Sequence, residues 1–173
     1  MILAIDPGPE ISAFVTYDGR IHEKGMVPNP ELLARLGSNA WRDLDECAIE
    51  KIASYGMAVG ADVFETCVWT GRYIERWYLT HGRREPLRIT RNAVKNHLCH
   101  SSKATDANVR AALIDMFGQG RGKEIAIGRK AAPGPLFGVT DDVWAALAVA
   151  VTASETILIP PRAPARPEPQ PIP

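Results

Sequence analysis

The sequence predicts a mixed α/β sheet of five strands with helices packed on both faces, carried by residues 1–158 and followed by a proline-rich tail at 159–173. Three observations lead there. Short apolar runs bounded by turn residues read as buried strands, the first of them in the opening "MILAIDPGP". Longer segments with apolar residues three and four apart alternate with further short runs, the pattern of a layered α/β domain. The chain has 173 residues, of which 46% are hydrophobic, enough for one sizeable core and too few for two comfortable ones.

Taken in order, Ile2 to Ile5 form the first strand, which ends at Asp6. Ala13 to Tyr17 form the second, and the turn dipeptide Asp18-Gly19 leads into a third at about Arg20 to Met26, so the chain begins as a meander. Asn29-Pro30-Glu31 starts a helix, with Asn as cap, Pro at the first helical position and Leu32, Leu33 and Leu36 as its apolar stripe. Cys47 to Ile49 make the next strand, closed by Glu50. A long helix is expected from Asp62, with Phe64, Cys67, Val68, Gly71, Ile74 and Tyr78 on one buried face and Asp62-x-x-Glu65 as a capping box. Pro86 to Ile89 is the fifth strand. Thr90 caps a short helix to Leu98, and Thr105 caps another whose Val109, Ala112, Leu113, Met116 and Phe117 point inward until Gly118. Residues 118–139, rich in glycine and carrying Arg121, Lys123, Arg129 and Lys130, read as a mobile basic loop. A last helix runs from Thr140 to about Glu155, and the seven prolines of the final 14 residues exclude a core there, leaving a disordered or polyproline-type tail.

Composition removes several classes of function. No apolar run approaches the ~18 residues that cross a bilayer, and the N-terminus lacks the flanks of a secretory signal, so a cytoplasmic protein is expected. Cys47, Cys67 and Cys99 are odd in number and form no C-x-x-C pair, which argues against a disulfide framework or a zinc knuckle. His97, Cys99 and His100 cluster in sequence, but packing and surface placement account for them better than a metal does. The formal net charge is zero, yet its distribution is lopsided. Residues 1–71 hold 5 Lys and Arg against 11 Asp and Glu, whereas residues 72–130 hold 13 against 5. That split fits a site that gathers cations beside a surface that gathers phosphates, as well as it fits ordinary solvated helix faces.

The carboxylates decide between these. Asp6 closes one strand, Glu50 closes a later one, and Asp141-Asp142 open the last helix. Each alone has a bland reading as a turn residue, a salt-bridge partner or a helix-dipole complement. Together, at strand ends, they form a cluster that repels itself unless cations occupy it, and oxygen ligands without histidine or thiolate select Mg²⁺ or Mn²⁺ over zinc. Two such ions ~4 Å apart suit phosphodiester cleavage. Glu65 is a second-rank candidate, because the capping box accounts for it.

The segments "AIDPG", "CAIEKI" and "GVTDDVWAALAVAV", in that order, resemble the RuvC family of Holliday junction resolvases, within the RNase H-like superfold, and particularly its phage-type members. "AVKNHLCHSSKATDANVRAAL" also resembles a family stretch in which a basic linker leads into a helix. The resemblance implies an RNase H-like fold and a homodimeric crossover junction endodeoxyribonuclease. Such an enzyme uses two Mg²⁺ ions, with Mn²⁺ substituting, and nicks four-way DNA symmetrically. Carried over by position, Asp6, Glu50 and Asp142 match the family's ligands. The family's further aspartate is replaced by Ala145, which leaves Asp141 as a possible substitute; phage-type relatives often lack that acid too. Where the family commonly has a lysine this chain has Asp106, with Lys103 the nearest cation, and Tyr55 is the closest match to an aromatic residue that probes the junction. Lys95, Lys103, Arg110, Arg121, Lys123, Arg129 and Lys130 are expected on the DNA backbone. Arg72 and Arg76 on the long helix fit the same channel or plain solvation, and Trp69 and Trp77 fit core or dimer interface. The alternatives are an RNA-trimming nuclease of the same fold and a non-catalytic DNA-binding module. An actin-like ATPase is disfavoured, because no further phosphate-cradling glycine motif follows Asp6.

Overall fold

The computed structural model describes residues 1–53 and 59–158, so Tyr55 and the tail at 159–173 lie outside the described residues. Strands β1 (Ile2–Asp6), β2 (Ile11–Tyr17), β3 (Ile21–Pro28), β4 (Glu46–Lys51) and β5 (Leu87–Thr90) form one sheet in the order β3-β2-β1-β4-β5. The meander β1-β2-β3 is antiparallel, and β4 and β5 add in parallel on the other side of β1. The central strand is therefore the first to be written in the chain.

Alternation along the strands sorts the core into two layers. Leu3, Ile5, Phe14, Cys47 and Ile49 pack with Leu32 and Leu36 of α1 (Asn29–Leu36) and with Tyr73 and Trp77 of α2 (Ala61–Thr80). Ile2, Ala4, Val15, Ala48 and Ile89 pack on the opposite face with α6 (Val143–Leu158), backed by α3 (Arg91–Cys99) and α4 (Asp106–Gly118). Helix α6 is apolar nearly all round, because the sheet lies on one side and α3 and α4 on the other. Its fully buried Ala146, Ala148, Ala150 and Ala153 have no bulk to hold it away from its neighbours.

Several expectations change at this level. Asn29 is not the cap of α1; Pro28 is, and the Asn29 side chain is fully buried in hydrogen bonds to Gly8 and Ser12. The Asp62–Glu65 capping box does not form either: Gly60 caps α2 without a side-chain bond, and Asp62 lies in the first turn. The buried residues of α2 are Thr66, Tyr73 and Trp77, whereas Phe64, Cys67, Val68 and Gly71 are exposed. On α4, Thr105 and Asn108 do form a capping box, but Met116 is 42% exposed rather than inward. The stretch 118–139 is built rather than loose. It contains α5 (Lys123–Ala126) and the small hairpin of β6 (Gly128–Arg129) and β7 (Ala132–Pro133), with Ala126 and Leu136 fully buried. Gly128 has φ +70°, and a Cβ there would stand 2.3 Å from the Ala132 carbonyl oxygen, so the glycine serves close backbone approach. Among the described residues no helix is long and apolar enough to cross a membrane.

Candidate active site

The site is assembled by strand parity. Asp6 follows Ile2 and Ala4 on the α6 face of β1, and Glu50 follows Ala48 on the same face of β4. The parallel register pairs Ile5 with Ile49, which sets Asp6 beside Glu50 one step further on. Their carboxyl groups lie within reach of each other, an arrangement that favours a shared proton when no cation is bound. Burial above all, then the charges of Glu50 and Asp142, push Asp6 up to about 8, with Arg91 pulling the other way. Burial also raises Glu50, against the opposing charge of Arg91.

The turn that follows Asp6 is clamped. The Gly8 amide donates to Ser12 Oγ at 3.3 Å, Asn29 Nδ2 donates to the Gly8 carbonyl at 2.9 Å, and Ser12 Oγ donates to Asn29 Oδ1 at 2.7 Å. The Tyr73 hydroxyl of α2 meets Ser12 Oγ at 3.1 Å, and burial pushes that phenol up to about 12. A Cβ on Gly8 would lie 2.3 Å from the Ile11 carbonyl oxygen. Gly8→Ala is therefore expected to shift this turn and to destabilise the protein by about 1–3 kcal/mol, read as a lower urea midpoint at unchanged slope.

Asp141 and Asp142 are exposed and form the turn before α6, Asp141 in the left-handed region at φ 45°. The Asp142 carbonyl accepts from the amides of Ala145 and Ala146, which closes the first turn of α6. Both acids line a pocket of about 110 Å³ together with Arg91, Asp106, Arg110 and Trp144, and Ala145 stands in its wall. The Arg110 guanidinium sits 4.7 Å from the centre of the Trp144 ring. Arg91 was not singled out by sequence reasoning, yet among the described residues it is the cation that pairs with Glu50: Nη1 lies 3.6 Å from Glu50 Oε2 and Nη2 lies 2.6 Å from Asp106 Oδ1. A signal did exist, because an arginine at the first position of a helix opposes the macrodipole and needs a local reason.

The other expected cations divide. Lys95 is close enough to act on Glu50, and Arg110 lines the pocket. Lys103 is exposed between α3 and α4. Arg121, hydrogen-bonded to Gln119, and Lys123, Arg129 and Lys130 are exposed on the unit built by α5, β6 and β7. His97 pairs with Glu155 at 2.7 Å. A concavity of about 600 Å³, lined by Trp69, Arg72, Glu75, Arg76 and their neighbours, lies on α1 and α2 on the opposite side of the sheet from α6.

Among the described residues no three His, Cys, Asp or Glu side chains close into a ready-made ion cage. The donor set nevertheless fits a hard divalent cation. It is all carboxylate, Asp6 feels both Glu50 and Asp142, and Glu50 Oε2 is buried without a hydrogen-bond partner among the described residues.

No family model matches this chain, and no curated protein does either. Solved structures do. The RuvC structure of Thermus thermophilus is similar at 20% identity with a TM-score of 0.58, covering 91% of this chain and 95% of that one. T. thermophilus RuvC in complex with a Holliday junction substrate is similar at 18% identity with a TM-score of 0.61, covering 89% and 94%. The mixed five-stranded sheet with helices on both faces is thus the RNase H-like fold of RuvC.

Proposed function

We propose that this chain is a divalent-metal-dependent endonuclease that resolves four-way DNA junctions, acting in the cytoplasm. The observation that carries the reading is the approach of Asp6 to Glu50 at adjacent strand ends, on the face where Asp142 precedes α6. The fold shared with RuvC supports it, one of those structures holding a junction substrate.

Asp6, Glu50 and Asp142 would hold Mg²⁺, two ions in the full site with Mn²⁺ able to replace it, and Asp141 is the candidate fourth ligand. Bound there, the ions supply the Lewis acidity that phosphodiester hydrolysis needs. The strands set the Asp6 and Glu50 side chains side by side, and the clamped turn at Gly8 holds the end of β1 that carries Asp6. Lys95, close enough to act on Glu50, and Arg110, in the pocket wall, would meet the DNA backbone near the cleaved bond. Lys103, Arg121, Lys123, Arg129 and Lys130 would extend the contact, with Tyr55 assigned to the junction from sequence alone. Junction affinity should then fall with salt at about 0.9 log units per log unit for each phosphate neutralised, and replacing Lys123, Arg129 and Lys130 by alanine should lower that slope by about 2 to 3, as a filter-binding salt series would measure.

Two symmetric cuts require two sites, and the exposed stripe of α2 offers the means. Phe64, Cys67, Val68 and Gly71 fall at positions i, i+3, i+4 and i+7, with Phe64 62% and Val68 52% exposed and nothing within 4 Å of a Cβ on Gly71. A second copy covering this stripe makes a C2 homodimer. The double variant Phe64→Glu, Val68→Glu is expected to sediment as a monomer at micromolar concentration and to lose paired nicking. A parent that is itself monomeric there and still cuts symmetrically would refute the dimer.

The experiment for the whole reading is cleavage of a synthetic four-way junction in Mg²⁺, Ca²⁺ or chelator, beside linear duplex and structured RNA. Symmetric nicks in the junction with Mg²⁺ alone are expected. Preferential cutting of the RNA would replace this reading with an RNA-processing nuclease, and binding without cutting would leave a non-catalytic module.

A further inference from the structure

The guanidinium of Arg91 is caught between a buried carboxylate and an exposed one. It makes its short contact, 2.6 Å, with Asp106, whose side chain is 74% exposed in the first turn of α4. Toward Glu50, whose side chain is only 15% exposed, it stops at 3.6 Å. Nη1 and Glu50 Oε2 are both buried, and neither has a hydrogen-bond partner among the described residues. The two atoms best placed to satisfy each other stand just beyond hydrogen-bonding distance. A paired arginine and carboxylate free to choose would close that gap in the less solvated position, where attraction is stronger. Asp106 holds the cation back.

We propose that Arg91 is a positioning residue that serves as the resident counter-cation of the Asp6–Glu50 pair, and that Asp106 sets how strongly it competes with divalent ions for Glu50. The inference rests on the metal-dependent reading above. In the metal-free protein Arg91 offsets the repulsion of carboxylates gathered at the strand ends. Because it is tethered outward, Glu50 keeps an oxygen available to an incoming ion, and Asp106 is already in place to keep the displaced guanidinium. Losing the arginine and losing the tether should therefore act in opposite directions.

Calorimetric titration with Mn²⁺ at fixed pH and ionic strength, on the parent, Arg91→Gln, Asp106→Asn and the double variant, tests this without reference to cutting. Arg91→Gln should bind Mn²⁺ about tenfold tighter, the size of a water-screened repulsion between one and two unit charges over about 6 Å. Asp106→Asn should bind more weakly by a comparable factor, and the double variant should match Arg91→Gln, because the tether has nothing left to hold. Arg91→Lys, which keeps the charge, should stay near the parent and guards against a folding artefact in the glutamine variant. In chelator Arg91→Gln should unfold at a lower temperature than the parent, and saturating Mn²⁺ should narrow that gap. An Arg91→Gln protein that binds Mn²⁺ no tighter than the parent overturns the proposal. Equal weakening by Asp106→Asn with and without Arg91 does so too, since that acid would then act only through its own charge. A parent that binds no Mn²⁺ removes the metal site itself, a different failure from either of these.

Discussion

Asp6→Asn is expected to abolish junction cutting while leaving junction binding intact, and to stabilise the protein when metal is withheld. The first half follows from the proposed ligand set: the substitution removes one of the two carboxylates brought together at the strand ends, and a loss of about a thousandfold corresponds to about 4 kcal/mol of transition-state stabilisation. Binding survives because the cations expected to meet the DNA lie on other elements. The second half follows from burial. Folding raises Asp6 from 3.8 to about 8, so between those values the native state holds a proton that the unfolded chain has released. Stability of the chelated parent must therefore fall as pH rises through this window, by several kcal/mol in total, and Glu50, also raised, tilts the same way. Asparagine cannot ionise, and its amide can still donate to Glu50. Thermal unfolding in chelator from pH 5 to pH 9 should show the parent losing stability with pH and the variant losing much less, the gap widest at the alkaline end. A parent whose chelated stability rises over that range contradicts the assignment of a buried, proton-sharing pair.

Trp77→Ala is expected to cost about 3–5 kcal/mol. The indole is 1% exposed, packs among Leu3, Ile5 and Ile49, and stacks on His81 with ring centres 3.5 Å apart. His81 in turn meets the Trp41 carbonyl at 2.9 Å, so the ring pair joins α2 to the segment before β4. Removing Trp77 opens a cavity under the sheet and loosens that join. For a chain of this size the unfolding temperature should drop by about 10 °C or more. Met116→Ala, at a position that α4 leaves 42% exposed, should change stability by no more than about 0.5 kcal/mol. Comparable effects of the two substitutions would mean that the buried faces of these helices are wrongly assigned.

Those faces also show where the sequence could be read and where it could not. Strand order near the N-terminus, the two carboxylates that close β1 and β4, and the acids before α6 were legible because strand parity has a period of two and turn residues mark its ends locally. Helix α2 was harder, because it carries two apolar stripes on nearly opposite sides. A period near 3.6 identifies both and does not say which one meets the sheet. The larger aromatic pair Tyr73 and Trp77, four apart, was the better guide, since big rings bury the most area. In 118–139 the glycines suggested mobility, whereas at Gly128 the missing Cβ lets two backbone segments touch. Asn29 looked like a cap because caps are local, but its partners Gly8 and Ser12 are distant in sequence and appear only in the fold. Arg91 was hidden for the same reason, its role depending on Glu50 and Asp106 from two other elements.

The central claim, that remote carboxylates converge to hold divalent ions, is tested most directly by anomalous diffraction from crystals grown with Mn²⁺. The account predicts anomalous density bounded by the side chains of Asp6, Glu50 and Asp142, and its loss in Asp6→Asn. Saturating Mn²⁺ that leaves this position without density, or density there that persists unchanged in the variant, would contradict it.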